Sequence, residues 1–60
     1  MNNKKVTYNH YIWEEEQTEN GMIRLVRWGN KDGVRYIEDV VELALPVYAD
    51  FLKRGWIIYE

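Results

Sequence analysis

The sequence predicts an α+β fold, in which a three-stranded antiparallel β-meander carries one Pro-kinked helix on a face and ends in a short C-terminal strand (β-β-β-α-β). In the first half of the chain, apolar and polar residues alternate between Asn-Gly and Asp-Gly pairs, as in strands joined by hairpin turns. In the second half, apolar residues recur every three or four positions, as in an amphipathic helix. Because no linker or repeat divides the chain, residues 1–60 are expected to form a single small domain.

Three strands are expected before the helix. Val6 to Glu16 is rich in β-branched and aromatic residues and predicts one long first strand. Asn20-Gly21 is the favoured pair for a two-residue turn in which both residues have positive φ, so Met22 to Trp28 is predicted to return as the second strand. The cluster Gly29 to Gly33 then predicts a turn, and Val34 to Ile37 a short third strand.

The expected helix runs from Val40 to about Arg54. Asp39 is the predicted N-cap, and Gly55 the predicted terminator with positive φ. Pro46 falls inside this segment on its polar side, where we expect it to kink the helix. The helix is predicted from apolar residues at three- and four-residue spacing, namely Val40, Leu43, Ala44, Val47 and Phe51.

An alternative remains open for the same segment. Val41 to Val47 also alternates as a strand does, and a short helix would then begin at Pro46. The kinked helix is preferred because Leu45 would be a poor N-cap. Trp56 to Tyr59 is the expected final strand in either case.

The predicted turns also fix a register. A two-residue turn at Asn20-Gly21 places Trp13 opposite Trp28 and Glu14 opposite Arg27. A turn centred on Lys31 places Tyr36 opposite Val26 and brings Arg27 opposite Arg35, a repulsive pair unless an acidic group bridges it. One face would then be aromatic, with Tyr11, Trp13, Val26, Trp28, Val34 and Tyr36. The other would be aliphatic, with Val6, Tyr8, His10, Ile12, Ile23, Leu25 and Ile37.

The aromatic face is expected to remain uncovered, because one helix covers one face and its Val, Leu and Phe side chains match the aliphatic one. Two alternatives remain open: the helix covers the aromatic face, or the aromatic side chains wrap the sheet edge. Three Trp and five Tyr among 60 residues exceed what so small a core needs, and such residues dominate interfaces. The candidate partner-binding residues are Tyr11, Trp13, Arg24, Arg27, Trp28, Arg35 and Tyr36.

The expected function is a non-catalytic protein-interaction module, a small regulator, adaptor or inhibitor of the size common among bacterial and phage accessory proteins. Self-association as a homodimer through the Trp13 and Trp28 face is one expected arrangement. The alternative is a single-stranded nucleic-acid binder that uses the same aromatic and basic residues. A net charge of −2 weighs against that alternative, because basic excess supplies most non-specific affinity for nucleic acid.

An enzyme is not expected. His10 is the only histidine and has no serine or cysteine nucleophile near it in the sequence. No cysteine is present and the acidic residues lack recognised ligand spacings, so neither a metal nor another cofactor is expected. The sequence also lacks a long apolar run and a secretory signal, which predicts a cytoplasmic protein without a membrane partner.

Overall fold

The computed structural model describes residues 4–17 and 20–60. Within these ranges the chain forms one antiparallel sheet of five strands, in the order β4-β3-β2-β1-β5, and one helix. The broad α+β class is confirmed, whereas the predicted three-stranded meander is too small. The elements are β1 (Lys5–Tyr8), β2 (Tyr11–Gln17), β3 (Met22–Lys31), β4 (Val34–Ala44), α1 (Leu45–Arg54) and β5 (Ile57–Tyr59).

The segment predicted as one long first strand is a hairpin. Tyr8 pairs with Tyr11, and the two residues between them, Asn9 and His10, have φ of 53° and 72°. Both central residues of a type I′ turn need positive φ, and Asn and His enter that region more readily than most residues. The expectation that His10 lies within a strand is therefore wrong.

The pairing of β2 with β3 differs from the predicted register by one residue. Glu14 lies opposite Val26, whereas Arg27 was expected there. Gln17 lies opposite Ile23, one residue before Arg24, which the predicted turn would place there; residues 18 and 19 of the connection lie outside the described part. Because side chains alternate along a strand, this shift places Trp13 and Trp28 on opposite faces.

The hairpin between β3 and β4 turns at Asp32-Gly33, with φ of 56° and 81°. Lys31 therefore pairs with Val34, and the expected turn centred on Lys31 is wrong. The register also changes between Arg27 and Trp28, as at a β-bulge. Arg27 consequently lies opposite Asp39, so the expected repulsion between two arginines does not arise.

Tyr36 lies opposite Gly29, whereas the predicted register places it opposite Val26. A Cβ atom at Gly29 would lie 2.5 Å from Tyr36 Cζ, which is closer than real contacts allow. Glycine at this position thus lets the tyrosine ring lie across the neighbouring strand.

The predicted kinked helix starts too early. Val41 and Leu43 pair with Leu25 and Ile23 as part of β4, and α1 begins at Leu45. The alternative, with a short helix starting near Pro46, is much closer. Proline in the first helical turn removes an N–H that has no acceptor within the helix, so it favours this start.

Asp39 is not the N-cap of α1. It belongs to β4, where its carboxylate lies 3.8 Å from the Arg27 guanidinium. The N-cap is Ala44, which has no side-chain hydrogen bond to offer, although the Leu45 N–H donates to the Gly21 carbonyl at 3.3 Å. The start of the helix is therefore anchored by backbone, without a polar cap.

The end of α1 agrees with the sequence. Gly55 has φ of 77°, and its N–H donates to the Leu52 carbonyl at 3.1 Å. The N–H of Trp56 donates to the Phe51 carbonyl at 2.9 Å, which completes the cap. The chain then enters β5, which pairs with β1 at the edge of the sheet opposite β4.

Helix α1 therefore crosses one face of the sheet, and the main core lies beneath it. Trp13 is only 3% exposed and donates a hydrogen bond from its indole nitrogen to the Tyr8 carbonyl. Its expected place on an uncovered face is wrong. This helix is ten residues long, and the described residues contain no helix that could cross a membrane. The core cluster consists of Val6, Trp13, Ile23, Leu25, Tyr48 and Ile57.

The hydroxyl of Tyr48 is buried in this core. Burial raises the pKa of Tyr48, and the nearby Glu15 and Tyr59 raise it further. Neither neighbour meets the hydroxyl in good hydrogen-bond geometry, and no other described group does so. The Tyr48 hydroxyl is thus held neutral and unsatisfied.

Candidate binding face

The face of the sheet opposite α1, called the open face below, has no described element over it. Alternation along each strand assigns its side chains, because Val6, Trp13, Leu25 and Ile57 point toward the helix and their neighbours point away. The open face includes Lys5, Thr7, Ile12, Glu14, Glu16, Arg24, Val26, Trp28, Arg35, Ile37, Val40, Glu42 and Ile58.

A row of apolar side chains crosses the open face perpendicular to the strands. Thr7 on β1 pairs with Ile58 on one side and Ile12 on the other. Trp28 on β3 pairs with Ile37 on β4. The three isoleucines each leave more than half of their surface exposed, and Trp28 is 38% exposed. We call these five residues the apolar row.

A hollow interrupts the apolar row between β2 and β3. Paired residues of these strands extend only as far as Glu14 and Val26, so the strands are not paired where Ile12 and Trp28 lie. Both side chains line the hollow, together with Val26. Val26 is 2% exposed although it does not belong to the core beneath α1. Lys5, Glu14 and Arg35 also line the hollow, so the open face has at its centre a depression with both apolar and charged walls.

Glu14 fixes the orientation of Trp28 beside this hollow. The Trp28 indole nitrogen donates a hydrogen bond to Glu14 Oε1 at 3.1 Å. The Arg35 guanidinium lies 3.9 Å from Glu14 Oε2 and 4.3 Å from the centre of a Trp28 ring. The indole is therefore held at its edge by a carboxylate and on its face by a cation.

Charged side chains lie to one side of the apolar row, toward the end of β4 at which α1 begins. Arg24 lies between Glu16 and Glu42, at 3.9 Å and 3.5 Å. All three side chains are well exposed, so each pair stabilises the fold by at most about 1 kcal/mol. Their main effect is to neutralise one another.

Arg27 is on the other face, beyond the part that α1 covers. It forms ion pairs with Glu38 at 2.5 Å and with Asp39 at 3.8 Å. Its guanidinium lies 4.1 Å from the Tyr11 ring centre and 5.5 Å from a ring centre of Trp13. Two carboxylates and two aromatic rings therefore surround it, which indicates a structural role.

The predicted partner-binding residues do not form one surface. Arg24, Trp28 and Arg35 lie on the open face. Tyr11, Trp13, Arg27 and Tyr36 lie on the other face, so the expectation of a single aromatic face is wrong. Whether any of the seven binds a partner remains a prediction.

The isoleucines of the open face are not among the predicted partner-binding residues. Ile12 and Ile37 had been assigned to the face beneath the helix, and Ile58 to neither face. The Asn9-His10 pair was the available signal, because an Asn-containing pair between two tyrosines is compatible with a hairpin turn. Recognising that turn would have identified β1 and β2 as separate strands and placed Thr7 beside Ile12.

His10, the one candidate for proton transfer, is exposed at its turn. Within residues 4–17 and 20–60, no three His, Asp or Glu side chains lie close enough together to hold a metal ion. No model of a known protein family, no curated protein and no solved structure matches this chain. The geometry of the open face is therefore the main basis for a functional proposal.

Proposed function

We propose that this chain is a non-catalytic protein-interaction module that binds its partner on the open face. The observation that supports this most is the apolar row, in which three isoleucines and Trp28 are exposed together on one face of the sheet. Contiguous apolar surface with a charged rim is typical of protein-binding sites. A regulator, adaptor or inhibitor in the cytoplasm is the role we expect for such a module.

Trp28 is the proposed anchor of this interface. Buried tryptophans beside a hollow supply much of the binding energy in protein complexes. Glu14 and Arg35 already hold the indole in place, so little side-chain freedom is lost when a partner covers it.

A protein partner fits the open face better than nucleic acid does. Phosphate groups bind arginines whose charge is not already paired with a carboxylate. Arg24 lies between Glu16 and Glu42, so its charge is already paired. Arg35 likewise shares its charge with Glu14. A polyanion would approach these carboxylates as closely as the arginines.

Site-specific photo-crosslinking tests the proposal. A photoreactive phenylalanine analogue replaces Ile12 or Ile58 on the open face, and in a control chain it replaces Val47, which is exposed on α1. Each chain is expressed in the cells that make the protein and irradiated. We expect a defined protein adduct from the Ile12 and Ile58 probes, unchanged by nuclease and absent with the Val47 probe.

Three outcomes would contradict the proposal. Equal adducts from all three positions would show that the open face is not selective. An open-face adduct that nuclease removes would instead support nucleic acid as the partner. Failure of both open-face probes to form any adduct would also count against the proposal.

A further inference from the structure

We infer that a second copy of this chain occupies the open face, so that two sheets pack face to face around a two-fold axis. This inference rests on the proposed function, because it names the partner of the same surface. Symmetric dimers are the commonest homo-oligomers, and in them the same patch on each copy must complement itself. The open face meets that requirement in its apolar row and in its charges.

The apolar row supplies the self-complementary centre. A two-fold axis running along the row, in the plane between the sheets, places the row of one copy on that of the other. Ile12, Ile37 and Ile58 then meet apolar partners, and Trp28 lies against the opposing row. The charged side chains at the centre of the face, Glu14 and Arg35, pair with each other and need no charged partner from the second copy, which suits such contact.

The charges on the two sides of the row are opposite in sign. On one side, Glu16 and Glu42 with Arg24 carry a net charge of −1. On the other side of the row Arg35 carries +1, while Lys31 points to the opposite face. Lys5 lies opposite Glu14 and offsets the charge of that carboxylate. Rotation about the row brings the acidic side of each copy toward Arg35 of the other. The two copies are thus electrostatically complementary.

The area of the face indicates a reversible dimer. Five strands about 4.8 Å apart and three rows about 6.7 Å apart give about 500 Å² per copy. The total of about 1,000 Å² is at the lower limit for specific interfaces. We therefore expect a dimer that forms in the micromolar range and dissociates on dilution.

Pairing of two β4 edges is the competing way to form a dimer. The outer edge of β4 is long, but Glu38 and Asp39 lie in the middle of this strand. Antiparallel pairing of two copies about this centre would bring these carboxylates together, which opposes association. The same argument does not apply to the open face.

Sedimentation equilibrium from about 1 µM to about 1 mM tests the inference. We expect the mass to rise from one chain to two. Ile12→Lys and Ile58→Lys should each raise the dissociation constant at least tenfold, because each buries an ammonium group in the apolar row. Val47→Lys on α1 is the matched control and should leave the dissociation constant unchanged. Circular dichroism establishes that each variant is folded.

A single-chain mass for the wild type at 1 mM would overturn the inference. So would a dimer that both open-face lysine variants form as readily as the wild type. If the wild type stays monomeric while the Ile12 probe still captures a different protein, the second copy is excluded and the proposed function stands. If the probes capture nothing and the protein is monomeric, both fail.

Discussion

The Trp28 indole nitrogen lies 3.1 Å from Glu14 Oε1, and this bond joins β3 to β2 near the point where their paired residues end. The same carboxylate faces Arg35, whose guanidinium covers a Trp28 ring. One acidic side chain therefore orients both the aromatic residue and the cation beside the hollow. Its loss should affect the shape of the open face more than the stability of the chain.

Glu14→Ala should lower the free energy of unfolding by about 1 kcal/mol, because the Trp28 N–H and Arg35 lose their acceptor on the open face. Glu14→Gln keeps an oxygen for the indole and loses only the exposed ion pair, so it should cost less than about 0.5 kcal/mol. Urea denaturation measures both. Equal losses for the two variants would contradict a role for the indole hydrogen bond.

Tyr48→Phe should change stability by less than about 0.5 kcal/mol or increase it slightly, because it removes a buried hydroxyl that lacks a partner. Tyr48→Ala keeps neither the hydroxyl nor the ring and should cost about 3 to 5 kcal/mol. Denaturation of both variants gives the comparison. A loss above 1 kcal/mol for Tyr48→Phe would indicate that the hydroxyl is bonded in the folded chain.

Stability should fall above pH 10 in a manner that depends on Tyr48. Burial raises the pKa of Tyr48 in the folded chain above the usual tyrosine pKa of about 10, so the folded state retains this proton while the unfolded state loses it. The contribution is complete below pH 10 and declines above it by up to about 1.4 kcal/mol per pH unit. Denaturation between pH 8 and 11.5 measures the decline, which should be smaller in Tyr48→Phe. Identical slopes in the two proteins would refute this assignment.

His10→Gly should stabilise the chain by about 0.5 kcal/mol. Positive φ costs a residue with a Cβ atom about 1 to 2 kcal/mol, which outweighs the 0.5 to 1 kcal/mol of added backbone entropy for glycine. Gly33→Ala is the reciprocal control and should destabilise by about 1 kcal/mol, since Gly33 has φ of 81° in its turn. Thermal denaturation measures the stability of both variants. A stabilising Gly33→Ala would contradict the assignment of Gly33 to its turn.

The sequence predicted those elements whose ends carry strong local signals. Gly55 ends α1 because its positive φ is inaccessible to most residues at low cost, and the final strand follows it as expected. The start of α1 could not be predicted in the same way. Val41 to Ala44 fits both the alternation of a strand and the three- to four-residue spacing of a helix. Its pairing with β3 makes it part of the strand.

The candidate site depended on register, which local signals fix poorly. A shift of one residue in the pairing, which places Gln17 opposite Ile23, moved every side chain of β2 to the other face relative to β3. Trp13 was thereby placed in the core, and Ile12 on the open face. In the structure Arg24, Trp28 and Arg35 share the open face, whereas Arg27 and Tyr36 lie on the other face.

Methyl NMR of the five isoleucines tests the central claim, that a second copy of this chain associates with the open face. Ile12, Ile37 and Ile58 lie on the open face, whereas Ile23 and Ile57 are buried beneath α1 and act as internal controls. Spectra are recorded as the protein is concentrated from about 10 µM to about 1 mM. The account predicts that the three open-face methyl signals shift together while the two core signals remain unchanged. Constant positions for all five, or shifts confined to Ile23 and Ile57, would contradict it.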